Sequence, residues 1–249
     1  MTLQILYDQL LELRLPTFRD GLREQQANLQ YSELSFEDRL ALLVDQECSQ
    51  RRENRIQRNV RAANFPMHSN LEEIDFAPAR GLDRHLILEL GQCAWITGRQ
   101  NILVLGPTGS GKSFMACSFG NAAVRNGFTV RYHRTSRLLH ALGLARQDGS
   151  LASLLRSLAK TNLLILDDWM RDTITIQNAQ DILEVLDDRF GHSATIIASQ
   201  VPISDWHFRI PDPTLADAIL DRLVHNARRI QLEGESQRKL RADRSMPNT

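Results

Sequence analysis

The stretch Asn101-Ile-Leu-Val-Leu105-Gly106-Pro107-Thr108-Gly109-Ser110-Gly111-Lys112-Ser113 decides how this chain is read. Its apolar start, Ile102 to Leu105, predicts a buried strand. The strand runs into Gly106 to Ser113, a complete G-x-x-x-x-G-K-[ST] phosphate-loop pattern. A helical run follows from Phe114 to Arg125. Strand, glycine loop and helix in that order are the context the pattern requires. A plain glycine turn before a helix would not also place Lys and Ser in register.

Each position in the loop has a physical task. Gly106, Gly109 and Gly111 let the backbone turn tightly and bring its N–H groups close to phosphate oxygens. The following helix aims its positive end at the same anion. Lys112 supplies charge near the β- and γ-phosphates, and the Ser113 hydroxyl suits Mg²⁺. The expected ATP-contact segment is therefore Gly106, Pro107, Thr108, Gly109, Ser110, Gly111, Lys112, Ser113 and Phe114, with Mg²⁺ on Ser113 and on an acid still to be located.

That acid comes next along the chain. Leu163-Leu164-Ile165-Leu166 predicts a second buried parallel strand, and Asp167-Asp168 stands at its C-terminal end. Asp167 is placed to hold Mg²⁺, through water, and Asp168 to polarise an attacking water. Another apolar strand, Ala194 to Ala198, ends in Ser199 and Gln200, where a polar group would lie between the acids and the γ-phosphate. Thr129 to His133 and Arg228 to Leu232 read as further strands. The intervening helices are Ser136 to Ala145, Leu151 to Leu158, Gln177 to Arg189, and a run from about 214 to Asn226 capped by Asp212 or Thr214.

The leader differs in character. Leu3, Leu6, Leu10 and Leu13, then Phe18 and Leu22, recur at helical spacing, with Pro16 in the first turn of a second helix. Ser35 reads as an N-cap, with Glu37 and Asp38 in the first turn. A long helix follows from about Phe36 to Ala62. Its second half places Arg51, Arg55, Arg58 and Arg61 on one face, a stripe able to track phosphates or simply a solvated face carrying pairs such as Glu47 with Arg51. Leu82 to Ile96 predicts one helix ahead of the loop strand. The domains expected are a helical 1–70, an ATPase core over 71–234 and a basic, mobile tail over 235–249.

Bulk properties narrow the class. The 249 residues are 42% hydrophobic and 24% charged, as in a soluble globular protein. Net charge is zero, so any nucleic-acid contact must come from local patches. No apolar run is long enough to span a bilayer, and residues 1–14 lack the features of a signal peptide. The three cysteines, Cys48, Cys93 and Cys117, form no metal or redox spacing and fit a reducing cytoplasm.

Four blocks together closely resemble the IstB-like ATPases, helpers of an insertion-sequence family within the AAA+ group and relatives of the helicase loader DnaC and the initiator DnaA. They are the loop itself, Leu163 to Asp168, Ile196-Ile-Ala-Ser-Gln200, and Asp212-Pro-Thr-Leu-Ala-Asp-Ala-Ile-Leu-Asp-Arg-Leu-Val-His-Asn-Ala227. The last block and Gly234-Glu-Ser236 are the most specific. The resemblance implies an α/β P-loop core with a parallel sheet, behind the helical N-terminal domain read above; as a departure from a full AAA+ module, fewer than twenty residues follow the last expected strand, too few for a full C-terminal lid. It implies Asp167 and Asp168 as the Walker B pair, Ser199 or Gln200 at sensor 1, and Arg222 as an arginine finger reaching a neighbouring subunit. The lid's sensor-2 arginine is absent, or replaced by something like Arg238. Position 168 departs from the usual Glu of AAA+ enzymes, and Trp169-Met170 from the aromatic-Gly pair usual in the family.

The function so implied is ATP-dependent, largely sequence-independent binding of double-stranded DNA by a homo-oligomer, a ring or spiral, that delivers target DNA to a transposase. Arg51, Arg55, Arg58, Arg61, Arg134 and Arg137 are the candidate DNA contacts. A DnaC-like helicase loader shares the core but would prefer single strands, and the 212–227 block argues against it. A small-molecule kinase would need a substrate pocket and lid that the sequence does not supply. A structural switch that does not hydrolyse ATP stands if Asp168 is ineffective.

Overall fold

Leucines recurring on one face fold the leader into helices. The structure is a computed structural model that describes residues 3–234. Two compact units are divided between Arg58 and Asn59. In the first, α1 (Leu3–Glu12) and α2 (Pro16–Ala27, with Pro16 in its first turn) precede a 3₁₀ turn over Leu29–Glu33. The long α3 (Phe36–Ala63) then begins at Ser35, whose hydroxyl accepts from the Asp38 N–H at 3.1 Å, the expected cap. Glu47 on α3 is nearly buried, accepts from the Phe18 N–H at 3.0 Å and pairs with Arg51 at 2.7 Å.

The division falls inside α3, earlier than the change of composition near Asn70 suggests. Residues just past it are fastened to the second unit. Ala63 is fully buried, Asn121 donates to the Ser69 carbonyl, and Arg131 donates to the Ala62 carbonyl. Phe65 packs so closely on Gly120 that a Cβ there would meet its ring at 2.6 Å. A helix with no Gly or Pro gives no sign in its sequence that two units share it.

The second unit continues through 3₁₀ turns at Leu71–Glu73 and Pro78–Arg80 to α4 (Arg84–Gly91) and α5 (Ala94–Thr97). The single helix expected over 82–96 is thus two. Cys93 adopts a left-handed φ of 62° between them, and the Trp95 indole N–H then caps the Leu90 carbonyl at 2.8 Å. Beyond lie β1 (Asn101–Leu105), α6 (Lys112–Arg125), β2 (Val130–Arg134), α7 (Thr135–Asp148), α8 (Leu151–Ala159) and β3 (Leu163–Asp167). Then come α9 (Ile176–Arg189), β4 (Ala194–Ser199), α10 (Ile203–Trp206), α11 (Pro213–Val224) and β5 (Ala227–Gln231). Asp212 caps α11 by accepting from the Leu215 N–H at 2.9 Å.

Among the described residues five strands pair in parallel, in the order β2-β3-β4-β1-β5. β3 and β4 are buried along their whole length, which is why they read as unbroken apolar runs. β1, β3 and β4 deliver their C-terminal ends side by side, and there the chain leaves the sheet for the glycine loop, Asp168 and Gln200. A core of leucines, isoleucines and two tryptophans supports this edge from one face, with Trp169 edge-on to Trp206 at 5.9 Å. The expected lid absence, the Arg238 assignment and the tail over 235–249 lie outside the described residues.

Candidate functional site

The loop after β1 is a nest closed by the start of α6. Gly106, Gly109 and Gly111 have φ of 151°, 82° and 97°. At Gly106 a Cβ would come within 2.5 Å of the Leu232 carbonyl, so only glycine fits against the strand beside it. Gly111 is the N-cap of α6, and Ser113 and Phe114 sit in that helix's first turn. Lys112 Nζ donates to the Pro107 carbonyl at 2.7 Å, arching over the loop.

These residues border a cleft of about 490 Å³. Thr108, Gly109, Gly111, Lys112, Ser113 and Phe114 line it, together with Asp168 and Gln200. Gly106, Pro107 and Ser110, expected among the contact residues, do not. Gly106 packs on Leu232, the Pro107 carbonyl holds Lys112, and the Ser110 side chain is buried beneath the loop.

At the end of β3 the two acids part company. Asp167 is buried, and both its carboxylate oxygens already accept a hydrogen bond. Oδ2 takes the Tyr132 hydroxyl at 2.6 Å and Oδ1 takes the Asp168 N–H at 2.9 Å. The Asp167 carbonyl also accepts from the Thr135 hydroxyl at 2.9 Å. Burial, then the bond to Asp167, pushes the Tyr132 phenol far above its ordinary range. Burial together with the Asp167 charge pushes the nearby Cys117 thiol up to about 12.

Asp168 is half exposed and its carboxylate pairs with Arg171 at 3.5 Å. Its φ is 56° and that of Met170 is 52°. The position where the resemblance leads to an expected glycine is thus left-handed, and this chain fills it with Met170 at a cost of about 1–2 kcal/mol. Met170 is almost fully buried, which offsets that strain.

At the end of β4, Ser199 and Gln200 separate the same way. The buried Ser199 hydroxyl donates to the Trp169 carbonyl at 2.8 Å and accepts from the Val201 N–H at 3.0 Å. It braces the loop after β3 and does not line the cleft. Gln200 does, and it bonds Thr108 across from the glycine loop.

Arginines complete the lining: Arg80, Arg134 and Arg171, with Met67, Glu73 and Asp75. Arg134 was expected on a DNA face, and it stands at the rim of this cleft. Arg137 is exposed and shares a smaller groove with Arg134, His133 and Asn64. Burial, reinforced by Arg131, holds the His133 imidazole below its ordinary pKa. Of the α3 arginines, Arg51 is bonded to Glu47 and to the Arg14 carbonyl, whereas Arg55 and Arg58 are exposed in the first unit and Arg61 in the second.

Arg222 lies elsewhere. Its guanidinium is bonded to Asp187 at 2.9 Å and Asp221 at 2.6 Å and stacks 4.8 Å from the Phe190 ring centre. Its carbonyl accepts from Asn101 Nδ2 at the first residue of β1. The glycine loop leaves the other end of that strand, about 15 Å away at ~3.3 Å per residue.

A comparison with known families gives these features a context. The sequence profile of the IstB-like ATP binding protein family matches residues 8–245. The chain belongs to the IstB-like ATP-binding proteins. A relative in Sinorhizobium fredii, described as "Putative insertion sequence ATP-binding protein y4pL", is 43% identical over 232 residues, covering 93% of this chain and 95% of the relative. Among solved structures, AMPPCP-bound DnaA from Aquifex aeolicus superposes with a TM-score of 0.59 at 15% identity, over 73% of this chain and 55% of that one. The DnaC helicase loader superposes with a TM-score of 0.54 at 14% identity, over 66% of this chain and 97% of that one. The fold is that of an AAA+ P-loop core. Among the described residues no helix is long and apolar enough to cross a membrane.

The donors fit the groups this family name implies. The cleft offers a nest of backbone N–H groups, a lysine and a helix N-terminus to polyphosphate. For Mg²⁺ it offers the Ser113 hydroxyl, and the buried Asp167 carboxylate stands beside it without lining it. Each Asp167 oxygen accepts one hydrogen bond and retains a further lone pair toward a metal or its water shell. Among the described residues no three His, Cys, Asp or Glu are placed to hold a metal by themselves.

Proposed function

We propose that this IstB-like protein binds ATP with Mg²⁺ in the cleft at the ends of β1, β3 and β4, and in that state assembles on duplex DNA and presents it to a transposase. The observation that carries the reading is the convergence of Lys112, Ser113, Asp168 and Gln200 on one cleft, with Asp167 held beside it, in a chain whose relatives are named insertion-sequence ATP-binding proteins.

The roles follow from placement. The glycine nest and Lys112 would take the phosphates, and Ser113 with Asp167 would hold Mg²⁺, which would supply positive charge against the phosphate oxygens. Asp168 orients and polarises the attacking water. Gln200, tied to Thr108, is positioned to register whether the γ-phosphate is present. For Arg222 the family resemblance, not its placement here, supports action at a neighbouring subunit's site; in this structure its guanidinium is paired with Asp187 and Asp221. Release from Asp187 and Asp221 must come first.

Hydrolysis in such a chain is slow. Asp168 is one methylene shorter than Glu, and Arg171 already holds its carboxylate. A slow ATPase suits a timer: bound ATP maintains the assembly, and hydrolysis dissolves it once DNA has been handed over. Exposed arginines on α3, with Arg137, give sequence-independent and salt-sensitive contact to phosphates. The helicase-loader reading uses the same core, and likeness in fold to DnaC does not separate the two. The near-full-length identity to insertion-sequence proteins favours transposition.

The test is steady-state ATP turnover with no DNA, with random-sequence duplex and with single strand. The proposal expects the duplex to raise turnover most. Stimulation by single strand alone would support a helicase loader, and dependence on a metabolite would point to a kinase.

A further inference from the structure

Beside the glycine loop, at the edge of the cleft, lies a buried cation. Arg80 is only 8% exposed, in the 3₁₀ turn Pro78–Arg80. Its Nη2 donates to the Ser110 carbonyl at 2.7 Å and its Nη1 to the Asp75 carbonyl at 3.3 Å. Its Nε is buried with no acceptor among the described residues, and no carboxylate lies at ion-pair distance among them. A buried guanidinium costs free energy unless its donors and charge are answered. Here the protein answers with two carbonyls and, beyond ion-pair distance, the charge of Asp75; burial still holds the Arg80 pKa below its ordinary value, and the group also borders the phosphate cleft.

The peptide between Ser110 and Gly111 gives this contact a direction. Among the described residues no peptide is cis, and in a trans peptide the carbonyl and the N–H point to opposite sides. With the Ser110 oxygen held by Arg80, the Gly111 N–H is turned away from Arg80 and into the nest. Gly111 has no side chain to interfere, and a Cβ there would meet Arg80 Nη2 at 3.0 Å. The turn carrying Arg80 is itself fastened, because the Glu233 N–H donates to the Arg80 carbonyl at 3.1 Å just past β5.

We infer that Arg80 is a positioning residue for nucleotide binding: its cation fixes and polarises the Ser110–Gly111 peptide so that the Gly111 N–H is presented to the β-phosphate. The inference rests on the reading of this loop as the nucleotide site. A hydrogen bond from a charged donor is about twice as strong as a neutral one, and its pull on the carbonyl makes the N–H on the other side a better donor. Arg80 thereby contributes to phosphate affinity through the Ser110–Gly111 peptide, and its remaining positive charge, in the cleft's lining, adds to the attraction for the anion.

The experiment is calorimetric titration of the full-length protein with ADP and with AMP, each with Mg²⁺, for wild type, R80M, R80Q and R80K, well below each variant's melting temperature. R80M is expected to weaken ADP about tenfold or more, the scale of one charge-assisted hydrogen bond, and to weaken AMP much less, so that the ADP-to-AMP affinity ratio falls. R80K restores most of the ratio because Lys keeps a charge and a donor. R80Q, which keeps an amide donor, falls between, and carries the test if R80M does not fold. A lower melting temperature with an unchanged ratio makes Arg80 a fold-stabilising residue only and overturns the inference. Failure of wild type to bind ADP would instead remove the nucleotide reading itself.

Discussion

Tyr132→Phe removes one hydroxyl and leaves the ring in place. In the wild type that hydroxyl donates to Asp167 Oδ2 at 2.6 Å, and both side chains are buried. A hydrogen bond to a charged partner contributes about 1.5–3 kcal/mol, and the lost partner leaves a buried carboxylate oxygen unanswered. For a unit of this size each kcal/mol moves the melting temperature by about 2–4 °C, so the variant should melt roughly 3–12 °C lower. Differential scanning calorimetry without nucleotide measures it. The pH dependence carries a second signature. Burial and the Asp167 bond raise the Tyr132 phenol above its ordinary 10.0. Its stabilisation is therefore complete below about pH 10 and is lost as pH rises above that value. The gap between wild type and variant should be constant near neutrality and narrow in alkali. A melting temperature within about 1 °C of wild type at neutral pH would show that water replaces the hydroxyl at no cost, and the account of Asp167 as a fixed carboxylate would fail.

Three further predictions concern other parts of the site. Lys112→Ala should abolish nucleotide-dependent assembly measured by light scattering, and intact ATP-dependent oligomers in that variant would sink the loop mechanism. Arg222→Ala should leave nucleotide binding by the monomer unchanged but lower turnover in the assembly, where an arginine in trans is worth about 10³-fold or more; unchanged turnover at saturating protein would remove the finger role. Iodoacetamide at pH 8 should label exposed Cys48 first, because burial raises Cys93 to about 11 and Cys117 to about 12, leaving little thiolate at either. Mass spectrometry showing early label on Cys117 would contradict the packing around Asp167.

What could be read in advance follows the distance over which each feature is encoded. The glycine loop and the Asp167-Asp168 pair are short contiguous patterns at the ends of buried strands, so chemistry and location appear together. Tyr132 and Arg80 carry no such mark. Tyr132 reaches Asp167 only because β2 pairs with β3, and Arg80 reaches Ser110 across thirty positions of chain. The same applies to Arg134, which its charge suggested for DNA and which strand pairing brings to the cleft rim. Ser199 and Gln200 were indistinguishable as polar residues at a strand end. Their difference is one of facing, since Ser199 is the last residue of β4 and Gln200 the first beyond it. The bend at Cys93 was hidden because a non-glycine residue in left-handed conformation breaks the helical pattern without a glycine or proline to announce it. The absence of glycine at Met170 was visible, and the structure supplies its meaning in a φ of 52°.

The most direct test of the central claim is sedimentation velocity of the full-length protein with a random-sequence duplex and, in parallel, a single strand, each with Mg·ATP and with Mg·ADP. The account predicts large complexes on the duplex with ATP and their dissolution with ADP. Equal complexes in both nucleotide states, or none on duplex DNA in either, would contradict it.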